Sequence, residues 1–234
     1  MHSQTTVPSK QILSKYLDAI GYDDNSPPKQ LFIYGNFDYL AAGSEEVEIS
    51  GSFEEFRAID DYRLTVFYYN DSLLAVGRSP VQRFVDQPGL SNLVYMGSVA
   101  ERNFDVIPFL NFIAADSAHV NPETGNWQLQ MNDSDGISWT VDYQRESFLP
   151  VKATVNYYIP LMGGRCTFVY TYSGYELFDG LKIPSRIVKS GCDYGVIHLT
   201  IGGAEVVSEM LDRELFCVLQ YRSLLRRHPQ RYED

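Results

Sequence analysis

A chain of 234 residues with 44% hydrophobic and only 21% charged side chains can build a sizeable core, which excludes a disordered segment. Its formal net charge of -11, from 19 basic against 30 acidic residues, repels phosphate backbones and argues against a nucleic-acid partner. An aromatic share of 14%, with 17 Tyr and 13 Phe, favours strands, where large side chains cover a pleated surface.

In chain order, the first element is a helix over about residues 9–21. Ser9 follows Pro8 as a cap, Ile12, Leu13, Tyr16, Leu17 and Ile20 form one apolar stripe, and Gly21 supplies the stop. A loop with Pro27 and Pro28 follows. From Leu31 the period changes to two: Leu31 to Tyr39 is an aromatic strand, then Val47, Ile49, Gly51 and Phe53 alternate with polar neighbours, as do Tyr62, Leu64, Val66 and Tyr68. Leu73 to Val76 and Val81 to Val85 are shorter strands. Asn103 to Ala115 is apolar enough for a buried helix, with Pro108 at its first turn or breaking it. Trp127 to Met131 and Ile137 to Tyr143 read as a hairpin around the turn residues 132–136. The last third has the clearest period of two: Val151 to Tyr157, Cys166 to Tyr172, Lys182 to Lys189 and Tyr194 to Ile201. Gly163-Gly164 and Gly202-Gly203 read as turns or bulges at strand ends. Leu211 to Leu225 can end in helix, and about residues 218–234 form a helical or disordered tail. No composition break demands a second domain, so the expectation is one domain over 1–234.

Motifs that carry chemistry are missing. There is no Gly-x-Ser-x-Gly elbow, Walker loop or dinucleotide fingerprint. The histidines His2, His119, His198 and His228 form no close pair; His198 fills a strand face, and His119 lies beside Asp116 and Glu123 in a loop. The acidic runs Glu45-Glu46-Glu48, Glu54-Glu55 and Asp60-Asp61 read as solvated. Asn132 to Gly136 resembles a calcium loop but lacks the downstream glutamate, so a hairpin turn is expected. No catalytic residue, metal site or cofactor is therefore assigned. Trp127 and Trp139, on the two arms of that hairpin, are expected as a cross-strand aromatic pair; the other reading makes them a wall of an apolar pocket.

The three cysteines, Cys166, Cys192 and Cys217, are too far apart in sequence for a zinc site. Cys166 is most simply a small buried hydrophobe, a bridge to Cys192 being the other possibility, so the compartment stays open. Met1 to Thr6 has no apolar run of a signal peptide, and nowhere do about 18 apolar residues run together to span a membrane. Arg222, Arg226, Arg227 and Arg231 form a basic patch, read first as a solvated end and second as a dock for an anionic partner or membrane surface.

Several strands do not alternate cleanly. Leu31-Phe32-Ile33-Tyr34, Val66-Phe67-Tyr68-Tyr69 and Phe168-Val169-Tyr170 are apolar on both sides, so both faces are covered or one lines an apolar cavity. Two turns within this sheet grammar carry a family resemblance. Leu149-Pro150-Val151-Lys152, followed by the step from Tyr175 through Gly180-Leu181-Lys182-Ile183-Pro184 and a last strand through Glu205-Val206-Val207 towards Asp212 and Phe216, resembles the LolA/LolB-like lipoprotein carriers and the wider set of outer-membrane lipoprotein-sorting proteins. The resemblance implies a mainly β (α+β) fold, a curved antiparallel half-barrel with a few helices over its concave face. Asp86 to Asn126 has no counterpart in that pattern, and no position matches the carriers' cavity-gating arginine.

What the resemblance implies about function is non-enzymatic binding of a lipid or a lipoprotein acyl chain inside the curved sheet, in the periplasm or cell envelope; a cytoplasmic chain would read the same. Phe32, Tyr34, Tyr68, Phe109, Phe112 and Tyr170 are the expected lining, and the expected partners are a lipid or acylated protein and an envelope protein. Burying each methylene contributes roughly 0.8 kcal/mol, enough for micromolar binding of one acyl chain. Two other readings stand beside it: a protein-interaction module with a filled core, and an enzyme assembled from distant groups such as His119 with Asp116.

Overall fold

The computed structural model describes residues 6–23, 30–58, 62–69, 72–78, 83–86, 112–133, 136–159, 164–191 and 195–207. Among these the chain is mainly β, with one helix. The elements are β1 (Thr6–Pro8), α1 (Ser9–Ile20), β2 (Gln30–Leu40), β3 (Ile49–Ala58), β4 (Tyr62–Tyr69), β5 (Ser72–Arg78), β6 (Arg83–Asp86), β7 (Ile113–Ala114), β8 (Ser117–Val120), β9 (Trp127–Asn132), β10 (Ser138–Tyr143), β11 (Pro150–Ile159), β12 (Gly164–Phe178), β13 (Leu181–Ser190) and β14 (Val196–Val206).

The chain divides into two compact units. Unit 1 comprises Met1–Ser26, Phe37–Ile49 and Asp105–Ile201; unit 2 comprises Pro27–Asn36, Ser50–Phe104 and Gly202–Asp234. Within unit 1 the strands run β1-β8-β9-β10-β11-β12-β13-β14, with β7 also on β9; among the described residues β1 and β14 do not pair with each other, so the sheet is open. Successive hairpins build it antiparallel, as short connections between neighbouring strands dictate. In unit 2, β3, β4, β5 and β6 follow one another in an antiparallel meander.

The apolar stripe of α1 buries Ile12, Tyr16 and Ile20. Tyr16 meets Tyr143 of β10 edge to face, with ring centroids 5.6 Å apart. Gly21 adopts φ 73° and closes the helix: its N–H donates to the Asp18 carbonyl, and that of Tyr22 donates to the Leu17 carbonyl. A Cβ on Gly21 would stand 2.6 Å from the Gly180 carbonyl oxygen, so glycine lets the helix end dock on the β12–β13 turn. That turn, Asp179-Gly180, has both residues at positive φ (44° and 85°), the conformation that matches the twist of a two-residue hairpin.

Four expectations need correction. Ser9 is the first helical residue rather than the cap, which is Pro8; its N–H donates to the Asp116 carbonyl, and its buried hydroxyl has no partner among the described residues. Ile113–Ala114, expected at the end of a buried helix, is a short strand paired with Asn132 and Met131, so the backbone bonds go to the sheet. Gly202 and Gly203 lie inside β14, and the missing side chain of Gly203 makes room for the ring of Tyr34. Cys166 is buried but is not a free thiol: it is disulfide-bonded. Residues 103–111 and the expected C-terminal helix and basic patch lie outside the described residues.

Candidate ligand-binding face

Side chains alternate across a strand, so the register of unit 1 places one set of residues on a common face. Across the strands, Met131, Trp139, Val155 and Phe168 form one row. Leu129, Val141, Ala153, Tyr170, Lys189 and Ile197 form the next, and every member of both rows is buried. Further along, Tyr172, Ile187 and Leu199 are opposed and buried, as are Trp127 and Tyr143. Tyr170 and Ala153 have no exposed surface.

Aromatic rings concentrate near the middle of this face. Trp139 lies 5.5 Å from Tyr170 and 5.5 Å, edge to face, from Phe112. Trp127 does not pair with Trp139: it stands opposite Tyr143, whereas Trp139 stands opposite Met131, because the turn sets the register and leaves three rungs between the indoles. The turn is fixed by Asp133, whose carboxylate accepts from the Ile137 N–H at 2.9 Å and the Trp139 indole N–H at 3.1 Å. Those bonds give the carboxylate a structural use within the hairpin.

The other face of the same strands is polar. His119 bonds Gln128 at 3.1 Å, and the Gln128 amide donates to Asp142 at 2.8 Å. The Gln130 amide donates to Thr140 at 2.9 Å. His119 belongs to β8 rather than a loop, and its partner is an amide. No cluster suited to holding a metal ion occurs among the described residues. His198 is exposed on β14.

The two sequence anchors meet physically. The Tyr175 hydroxyl donates to the Pro150 carbonyl at 2.6 Å, and Tyr175 stands opposite Pro184. Leu149-Pro150 and the Tyr175 to Pro184 step are therefore one construction, which ties the start of β11 to the β12–β13 hairpin. Burial, reinforced by Tyr172 and Tyr143, pushes the Tyr175 phenol well above its usual pKa, so it stays a donor.

In unit 2, Phe32 lies 5.8 Å from Tyr34 and 4.7 Å from Phe56, and the Tyr68 hydroxyl donates to Glu54 at 3.2 Å. These are half-buried positions, with Tyr34 40% exposed. The fully buried face of β3 and β4 carries Phe53 against Phe67, and Glu55 against Thr65, whose hydroxyl donates to it at 3.1 Å. Glu55, expected to be solvated, has no exposed surface.

Of the six expected lining residues, Phe112 and Tyr170 thus share the Trp139 cluster of unit 1, whereas Phe32, Tyr34 and Tyr68 belong to a half-buried surface of unit 2; Phe109 lies outside the described residues. Sequence reasoning passed over Phe168 and Lys189 and carried Trp139 only as a second reading, a wall of an apolar pocket. The signal was present in parity: Leu181, Ile183, Ser185, Ile187 and Lys189 occupy the inward positions of β13, and all are buried.

No protein-family model matches the sequence, and no curated protein matches it. Solved structures do. A candidate outer membrane lipoprotein-sorting protein domain from Vibrio parahaemolyticus matches with a TM-score of 0.55 and 10% identity over 92% of this chain and 97% of that one. A LolA superfamily protein from Nitrosomonas europaea matches with a TM-score of 0.51 and 12% identity over 90% and 97%. The chain has the LolA-like fold, as its turn and strand residues led us to expect.

Proposed function

We propose that the chain is a single LolA-like domain and a non-enzymatic carrier in the cell envelope. It would hold the acyl chain of a lipid or lipoprotein against the aromatic face of unit 1. The observation that carries this reading is the run of inward apolar residues from β9 to β14, centred on Phe112, Trp139, Phe168 and Tyr170, in a fold that a lipoprotein-sorting domain shares. An acyl chain needs apolar contact and little else, and such a face offers it. Entry of the chain requires that the covering elements, α1 among them, yield. In unit 2, Phe32, Tyr34 and Tyr68 are proposed as a separate apolar contact surface for amphiphiles.

The disulfide at Cys166 supports an oxidising compartment, since glutathione and thioredoxin keep cytosolic thiols reduced. Native mass spectrometry after gentle purification tests carriage. The expected result is a lipid-sized adduct; a bare protein that also takes up no fluorescent fatty acid would sink the reading.

One observation favours a second reading. Tyr170, Ala153, Val141 and Leu129 are buried to zero exposure by the chain itself. A core filled in this way suits a protein-interaction module, and the bare-protein outcome would favour it.

A further inference from the structure

The inward face of unit 1 holds both tryptophans of the chain, and their indole N–H groups are treated differently. Trp139 donates to the Asp133 carboxylate at 3.1 Å. The Trp127 Nε1 is fully covered, and nothing among the described residues accepts its proton. Trp127 is only 9% exposed and shares a rung with Tyr143, whose hydroxyl donates to Met131 Sδ at 3.6 Å. The ring lies at the margin of the face: Arg145, exposed just past β10, sets its guanidinium 5.7 Å from the ring centroid.

A buried indole N–H nearly always finds an acceptor, and one left without a partner costs the full loss of its hydration. The hairpin that carries both rings supplies Asp133 to one and no acceptor to the other. Arg145 cannot serve, because a guanidinium only donates. The position therefore calls for an oxygen acceptor that the chain does not provide. The rung of Trp127 lies four residues along β10 from that of Trp139, about 13 Å of strand. A ligand with its acceptor at Trp127 would lay its hydrocarbon along that span towards the rings of Trp139 and Tyr170, which lie 5.5 Å apart.

Resting on the carrier reading, we propose that the Trp127 indole N–H receives the acyl carbonyl of the ligand, so that the face takes O-acyl amphiphiles in preference to O-alkyl ones with the same chain and head. The carbonyl sits at Trp127, the tail runs over the Trp139 cluster, and the head leaves the face beside Arg145. A site built around a donor discriminates against an analogue without the matching acceptor, because that analogue leaves the donor buried and unpaired.

The test is competition against bound N-phenyl-1-naphthylamine by two lysophosphocholines of equal chain length, one joined to glycerol through an ester and the other through an ether. They differ only in the carbonyl. Wild type is expected to bind the ester about fivefold or more tightly, the scale of one neutral hydrogen bond. Trp127→Phe keeps a ring, loses the N–H, and should bind the two equally. Trp139→Phe should keep the wild-type ratio, since Asp133 already serves that indole. Equal affinity of wild type for ester and ether, the result expected if a buried water serves Trp127, overturns the proposal and leaves the carrier reading standing. So does a preference that survives in Trp127→Phe, or one lost just as fully in Trp139→Phe. A wild type that takes up neither probe nor competitor overturns both. Should Trp127→Phe fail to fold, the Trp127 indole N–H resonance of isotope-labelled wild type serves instead. It should move downfield with the ester and not with the ether, and an unmoved signal overturns the proposal.

Discussion

The two faces of the unit 1 sheet are made by the same strands and differ in almost every physical respect. On β10, Trp139, Val141 and Tyr143 point into a buried aromatic surface, while Thr140 and Asp142 join a polar ladder with Gln130, Gln128 and His119. The inward face is held by area removed from water and by ring packing; the outward face is held by neutral and charge-assisted hydrogen bonds, each worth much less net. Position along a strand matters less than parity, and a shift of one residue in register would exchange the two chemistries.

That contrast is open to direct attack. The largest effect should come from Tyr170→Ala, which removes a fully buried ring and undermines Trp139: about 3–5 kcal/mol, read from urea denaturation. Its neighbour Thr171 is exposed, and Thr171→Ala should stay within about 0.5 kcal/mol. Comparable losses at the two positions would deny the parity argument. Next, Tyr175→Phe leaves the Pro150 carbonyl without its donor and should cost about 1–3 kcal/mol. A neutral outcome would mean that the bond joining the two anchors is incidental.

A pH effect follows from burial. Desolvation raises the Tyr143 phenol far above its ordinary pKa of 10.0. The native state keeps a proton that the unfolded chain releases, so this contribution is fully present below pH 10 and falls away as pH rises beyond it. Tyr143→Phe should therefore lose less stability per pH unit in the alkaline limb than wild type does; an unchanged slope would assign the loss to other groups. A smaller effect, about 1 kcal/mol, is expected for Gln128→Ala, which breaks the outward ladder between His119 and Asp142. Alkylation should label Cys166 only after reduction, and labelling without reductant would remove the support for an oxidising compartment.

The sheet of the last third was legible because period-two alternation survives wherever one face is buried and the other wet, as in Cys166, Phe168, Tyr170 and Tyr172. The helix was legible for the same reason at a different period. Features set by register were not. The two tryptophans lie on opposite arms of one hairpin, but only the turn geometry decides that Trp139 faces Met131 and not Trp127. Tertiary packing hid Gly203, whose role is to admit the Tyr34 ring. A charged residue misled in the opposite direction: Glu55 was read as solvated, yet it occupies an inward parity position and is buried there. Of the expected lining, Phe112 and Tyr170 lie beside Trp139 on this face, while Lys189, the one buried lysine among the described residues, was not named.

The central claim is that the inward face of unit 1 receives an acyl chain. The most direct measurement is photolabelling of the intact protein with a fatty acid bearing a photoreactive group along its chain, followed by peptide mapping. The account predicts adducts on peptides carrying Trp139, Phe168 or Tyr170, suppressed by excess unlabelled fatty acid. Adducts confined to the outward face, on peptides such as that of His119, or no saturable labelling at all, would contradict it.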